Sequence, residues 1–442
     1  MVLNNLIIGG GLAGLSLGLN LSRNMERVLL LESETHLGGL AQSYTLNGVT
    51  FDFGPHIFRS RNEELIEWAS SLIKLNRYES VPGSYKYGEI FDHVIPVITW
   101  ENIRKLPKKI QKKVVNEVSN LRKNDNFNTF ANFYDVITAQ VGENICEEFF
   151  SKYSEKWWGI DSKLLSADLA PKNLRIGDDS SYSHVTTAFT EIKKEFYPSR
   201  GGYGSIVSRL VEKLNSCHNV EVRKESRITE FIHENGIASH VIINDEDEIP
   251  VNGNIFSTAP LTNVARMLKI STRLRYRSDI CVFIVLKNDR IDMKGKSWLY
   301  FPEKDALFSR ICSTGNFSKS NVHHDYGGMM AEIACFENDN IWNMNEEKLV
   351  SRVLDSLISS GVINENNVNE TRVIRQAYSY PLLDVNSYSE KKTVLKKINE
   401  KASNIILVGR TGSFKYLNSD AALSLHNIDL NELMKIRPQE LN

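Results

Sequence analysis

At 442 residues, 41% hydrophobic and 24% charged, the chain exceeds the usual size of a single core and has an ordinary globular composition, which excludes a disordered or low-complexity protein. Its 53 Lys and Arg nearly cancel its 54 Asp and Glu, so no global field draws in nucleic acid or an anionic membrane surface, and an anionic ligand has to be held by local cations. Cys146, Cys217, Cys281, Cys312 and Cys335 are odd in number and form no CxxC pair, so neither a disulfide framework nor a metal site is expected, and a cytoplasmic location is.

Asn5-Leu6-Ile7-Ile8 reads as a buried strand, followed by a glycine turn, a helix over Ala13 to Arg23 and a parallel strand at Val28-Leu29-Leu30-Leu31. The apolar stretch from Leu6 to Leu21 reads better as strand, turn and helix than as a signal sequence, because glycines interrupt it and no Lys or Arg precedes it. No other stretch reaches the about 18 uncharged apolar residues that cross a bilayer, so no membrane insertion is expected. From roughly Trp100 to Tyr153 the pattern is helical with Lys-rich polar faces, which predicts an inserted helical domain. Phe196 to Gly204 breaks it, and the amphipathic run Ile206 to Leu214 followed by Val220-Glu221-Val222 predicts a return to the first domain. Ile280 to Val285 and Met329 to Phe336 favour an antiparallel sheet. Asn404 to Gly409 reads as one more buried parallel strand, running into a glycine turn and a helix from about Asp420.

Gly9, Gly11 and Gly14 give GxGxxG between the first strand and its helix. The first glycine permits a tight turn, the second lets a pyrophosphate approach the backbone, and the third lets helix and sheet pack closely. The helix N-terminus then offers unpaired N–H groups to phosphate. Glu32, 18 residues past Gly14 at the end of the second strand, is placed to accept hydrogen bonds from an adenosine ribose. A second glycine pair follows in Gly38-Gly39-Leu40-Ala41-Gln42-Ser43, then Phe51-Asp52-Phe53-Gly54-Pro55-His56. Together these resemble the extended cofactor segment of the glutathione-reductase-like flavoproteins, and Val408-Gly409-Arg410 resembles their late FAD strand, so FAD is the expected cofactor. The expected fold class is α/β: a Rossmann-like FAD-binding domain in three parts (1–85, 191–258 and 396–442), an inserted helical substrate domain (86–190) and an antiparallel sheet substrate domain (259–395).

Within that superfamily four segments are similar to the UDP-galactopyranose mutase family. Gly54-Pro55-His56-Ile57-Phe58 resembles its loop against the flavin, with Arg59 where the family usually has a second histidine. Phe149 to Gly159, FFSKYSEKWWG, resembles its uridine pocket. The resemblance implies that Tyr153 stacks on the base, Phe149 flanks it and Trp158 packs near the sugar, as aromatic faces suit a planar base. A helix burying its aromatic residues would present the same pattern. Pro171-Lys172-Asn173-Leu174-Arg175 falls where the family places a phosphate-binding arginine, leaving Lys172 and Arg175 as rivals, and Arg310 falls at its second such arginine. Tyr378-Ser379-Tyr380-Pro381 and Gly409 to Asp420 resemble its C-terminal pattern of Tyr-Pro, then Gly-Arg-x-Gly-x-Tyr-x-Tyr-x-Asp. By carry-over Tyr380 and Tyr416 bind the diphosphate, while Arg410, Gly409, Asn418 and Leu40 contact the cofactor. Phe414 stands in place of a tyrosine and Asn418 in place of an aspartate, changes expected to fall near the sugar and to alter its identity.

The resemblance implies a nucleotide-sugar mutase in which reduced flavin N5 attacks the anomeric carbon, the nucleoside diphosphate leaves, and the ring opens and recloses as a furanose. The catalytic candidates are His56, Arg310 and Arg410. An imidazole titrating near neutrality lets His56 tune the flavin or accept a proton, and a purely structural histidine fits equally. The implied partners are a UDP-linked sugar and an external reductant, in an assembly compatible with a homodimer. An FAD-dependent oxidase or desaturase of the amine oxidase or protoporphyrinogen oxidase type shares Phe51-Asp52-Phe53-Gly54-Pro55, and a noncatalytic flavin protein is a third class. Neither needs cations and tyrosines converging on a diphosphate.

Overall fold

The computed structural model describes residues 5–95, 97–119, 130–177, 194–287, 291 and 293–435. Its centre is a five-stranded parallel sheet in which Asn5–Ile8 lies between Val28–Leu31 and Asn254–Ser257, with Val220–Arg223 and Ile405–Leu407 at the edges. Every residue of the first two strands is buried, as short continuous apolar runs require when a parallel sheet is covered on both faces. Three stretches of sequence, separated by more than a hundred residues each, therefore build one Rossmann-like layer. The expected return of the chain after Gly204 is the helix Gly204–Asn215 followed by the edge strand Val220–Arg223. At the C-terminus the strand and glycine turn lead into Ser419–Leu423, a helix of 5 residues that begins where one was expected, near Asp420.

The second layer is a seven-stranded sheet in the order Val368–Pro381, Tyr276–Lys287, Tyr326–Cys335, Arg310–Ser313, Trp298–Tyr300, Pro82–Lys86, Glu89–Asp92. Its long central strands are the two apolar runs seen in the sequence, paired antiparallel from Ser278 with Cys335 to Lys287 with Tyr326. Within residues 259–395 its pairings are antiparallel, as expected, and two outer strands join through a parallel pairing of Trp298–Tyr300 with Pro82–Lys86. Pro82–Lys86, which spans the expected boundary at residue 85, belongs to this sheet. Short strands of mixed polarity carry little periodic signal, and their partners lie far along the chain.

The helical region comprises Trp100–Lys105, Lys108–Val118, Phe133–Val141 and Glu143–Cys146, then a π-helical turn at Glu147–Ser151 leading into Lys152–Trp158. It encloses its own apolar core around Ile98, Ile137, Phe150 and Trp157. Such turns are frequent at functional sites, and Phe149 within it and Tyr153 and Trp158 after it line one cavity. Among the described residues no helix is long and apolar enough to cross a membrane.

Candidate active site

The glycine turn shows why each glycine is there. Gly9 has φ +98°, and a Cβ on it would lie 2.1 Å from Thr258 Oγ1. On Gly14 a Cβ would lie 1.9 Å from the Gly9 carbonyl oxygen, so this residue lets the helix close on the turn and faces no cavity. Gly11 differs: its Cβ would meet nothing nearer than Gly38 O at 4.0 Å. Its open side faces a cavity of about 1050 Å³ lined by Gly9, Gly11, Glu32, Gly38, Gly39, Leu40, His56, Gly409, Arg410 and Asn418. That volume lies at the upper end of small-molecule sites. Gly38 N–H donates to Gly10 O at 2.8 Å, tying the second glycine pair to the first. Glu32 accepts from Gly10 N at 2.7 Å and from Glu34 N at 2.9 Å, which fixes its carboxylate at the cavity wall. A bare backbone face at a helix N-terminus beside a fixed carboxylate fits the pyrophosphate and ribose of a dinucleotide.

At the other end stand His56 and Arg410. His56 Nδ1 lies 3.2 Å from Gly54 O, and its ring is 5.2 Å from that of Tyr203. Burial, reinforced by the charges of Arg410 and Arg310 and partly opposed by the Gly54 carbonyl, lowers its pKa to about 4. The imidazole is therefore neutral around pH 7, and the expected titration near neutrality is corrected. Arg410 donates from Nε to Leu417 O at 2.8 Å and from Nη1 to Ser379 O at 3.3 Å. Its guanidinium lies 4.8 Å from the Tyr380 ring centre and 5.5 Å from that of Tyr416.

A second cavity, of about 290 Å³, meets the first at Arg59, Arg310, Tyr380 and Tyr416, which line both. Tyr380 and Tyr416 are stacked, 5.6 Å apart at 18°, and Trp158 presents its edge to both. Deeper in, Tyr153 packs edge-on against Tyr300 at 4.9 Å and Phe149 packs edge-on against Phe91 at 6.0 Å. Arg310 sits 5.0 Å from the Trp157 ring centre and is ion-paired to Glu332. The geometry is a wide slot with Tyr380, Tyr416, Arg310 and Arg410 on its wall, continued by a narrower aromatic slot.

The structure thus gathers Phe149, Tyr153, Trp158, Arg310, Tyr380 and Tyr416 around one junction. It does not bring Lys172 or Arg175 there: both are exposed and line neither cavity. Phe414 is also not where it was expected. Its φ of 48° turns the ring inward, where it is 1% exposed and packs edge-on against Tyr276 at 5.1 Å. Residues not anticipated at the site include Lys86, Asp279, Tyr300 and Glu332, while Arg59, noted in the sequence beside the flavin loop, lines both cavities. Asp279 and Glu332 could have been found as lone acids at the edge of or inside apolar strand patterns, since buried charges are rare without a purpose. Lys86, 2% exposed, donates to Glu148 O at 2.6 Å and pairs with its carboxylate beneath Phe149, a contact no local pattern announces.

Fold and site define a dinucleotide-binding protein built on a Rossmann-like sheet, and residues 7–72 match the NAD(P)-binding Rossmann-like domain family. In sequence the chain is similar to UDP-galactopyranose mutase of Mycoplasma genitalium, 24% identical over 252 residues, which are 54% of this chain and 59% of that protein. The match thus spans about three-fifths of that relative's length. In structure it is similar to reduced UDP-galactopyranose mutase, with a TM-score of 0.79, 21% identity and coverage of 98% of this chain and 95% of the other. A candidate protoporphyrinogen oxidase from Exiguobacterium shares the fold at a TM-score of 0.76 with 15% identity, covering all of both chains.

Proposed function

We propose that the chain is an FAD-dependent nucleotide-sugar mutase that interconverts pyranose and furanose forms, most simply of a UDP-linked sugar. The observation that carries this reading is the junction at which Arg310, Tyr380 and Tyr416 line both the dinucleotide cavity and the aromatic slot. A nucleoside diphosphate fits it with its base among Phe149, Tyr153 and Tyr300 and its phosphates between the tyrosine hydroxyls and Arg310. The sugar then points into the larger cavity, beside His56 and Arg410. Glu32, the Gly9–Gly11 turn and Gly38-Gly39 would hold the adenosine half of FAD. When bound and reduced, FAD would supply a nucleophile toward the anomeric carbon.

The protein's share follows from the side chains in place. Arg310 and the two tyrosines stabilise the diphosphate as it departs and returns, an effect strongest where water is excluded. Aromatic walls exclude that water and fix the base, so remote binding energy orients the reacting end. Neutral His56 accepts or donates a hydrogen bond without adding charge. Reduction by dithionite and incubation with UDP-galactopyranose or its furanose isomer tests the reading: repeated turnover to the other ring form is expected with no net electron flow. Stoichiometric oxygen consumption by oxidised protein would instead identify an oxidase.

A further inference from the structure

Asp279 and Glu332 project from neighbouring antiparallel strands onto the face of the seven-stranded sheet that lines the larger cavity. Glu332 stands opposite Cys281, and Asp279 is two residues away on the same face, placing the two acids diagonally across the ladder. Their surroundings differ. Glu332 takes Nε and Nη2 of Arg310 at 2.7 and 2.5 Å. Asp279 is 2% exposed and its Oδ1 makes no well-formed hydrogen bond, although the Ser379 hydroxyl lies near enough to favour its ionised form.

The cations near Asp279 are committed elsewhere. Arg277, on its own strand, donates to Trp157 O at 2.8 Å and lies over Phe336, while Arg310 serves Glu332 from the next strand. Tyr380 on the opposite flank is neutral, since burial raises its pKa far above its ordinary value. Ionised Asp279 would place a second buried negative charge beside Glu332 with an oxygen unbonded, which is unfavourable. Burial first, and then the charge of Glu332, push its carboxyl up to about 8, against the opposing charges of Arg277 and Arg310 and the Ser379 hydroxyl. Around pH 7 the cavity therefore contains a carboxylic acid that keeps its proton and an imidazole that has already lost its own.

We infer that Asp279, paired with Glu332, is the proton-holding group of this cavity and exchanges the proton that moves when the sugar ring opens and recloses. Opening breaks the bond between the anomeric carbon and the ring oxygen, and that oxygen takes up one proton. Reclosure joins the anomeric carbon to another hydroxyl oxygen, which gives one up. One group that donates and then recovers a proton leaves protein and sugar balanced and moves no electrons. The role rests on the mutase reading, while the protonation state does not.

Infrared difference spectra of the holoprotein test the state directly. Wild type should show the carbonyl stretch of a protonated carboxyl around neutral pH, lost above about pH 9, and Asp279→Asn should lack it. In reduced enzyme the rate of ring interconversion should fall along an alkaline limb near 8. Asp279→Asn should lose that limb and about a hundredfold in kcat, while UDP affinity stays within about twofold. Asp279→Glu, with the acid on a longer arm, should retain a limb at a shifted pH. An unchanged infrared band in Asp279→Asn, or an unchanged pH profile, overturns the inference. If wild type interconverts no nucleotide sugar, the mutase reading fails, and the infrared titration alone decides whether Asp279 holds the proton.

Discussion

Arg310 and Glu332 face each other across two antiparallel strands, and the carboxylate takes both Nε and Nη2 of the guanidinium. Glu332 is almost wholly buried, its side chain 2% exposed, so the arginine at the junction of the cavities is held by a partner that water cannot replace. Arg310→Ala then acts twice. On the proposed reading it removes a contact to diphosphate worth about 1.5–3 kcal/mol, and it leaves a buried carboxylate unpaired, at a cost of about 3–5 kcal/mol of stability. Calorimetric titration with UDP and a thermal melt should both register the change. A variant that binds UDP as wild type does would remove Arg310 from the diphosphate site.

Gly11 and Gly14 should fail in different ways. A Cβ at Gly11 points into open cavity, whereas one at Gly14 would collide with the Gly9 backbone at 1.9 Å. Gly11→Val should therefore give a folded protein, with wild-type circular dichroism, that purifies without flavin absorbance. Gly14→Val should disturb the fold itself and lower the yield of soluble protein. Full FAD occupancy in Gly11→Val would contradict the assignment of this turn to the pyrophosphate.

How much was legible follows from the same residues. The start of the parallel sheet was readable because its first two strands are wholly buried and mostly apolar, and GxGxxG has one sterically sensible use between a strand and a helix. Tyr380, Tyr416 and Arg410 lie in compact C-terminal motifs, and the structure does bring them together. Asp279 and Glu332 show in the sequence only as lone acids in apolar strand patterns, and what brings them to one site is strand pairing across long sequence separations. Phe414 shows a further limit: similarity placed a side chain near the sugar, but a left-handed backbone turned it into the core.

Substitution of Tyr153 tests whether the proposed base site is separate from the proposed phosphate site. It lines the aromatic slot, packs on Tyr300, and does not line the larger cavity. Tyr153→Ala should weaken UDP binding by about 1–3 kcal/mol through lost stacking, yet leave inorganic pyrophosphate affinity nearly unchanged. Equal losses for both ligands would show that the slot does not hold the base.

The pH dependence of stability isolates Asp279. Its native carboxyl is pushed up to about 8 by burial and then by Glu332, whereas in the unfolded chain it titrates near about 3.9. Below that lower value both states are protonated and folding carries no penalty from this group. Between the two values the unfolded chain has released the proton and the native protein keeps it, so stability falls as pH rises, levelling off above about 8. His56 and His93, both held down to about 4 chiefly by burial, act in the opposite direction: their stability is present above about 6.5 and is lost as pH falls toward 4. Lys156 and Lys391, lowered by burial to about 7 and about 8, likewise lose stability as pH falls from the alkaline side. All four remain in Asp279→Asn, so their contributions cancel in the difference between variant and wild type. Urea unfolding of the two proteins side by side should show the variant gaining on wild type steadily from about pH 4 to about 8, then holding a constant lead. A difference that does not vary with pH would mean that Asp279 is ionised in the folded protein at neutral pH.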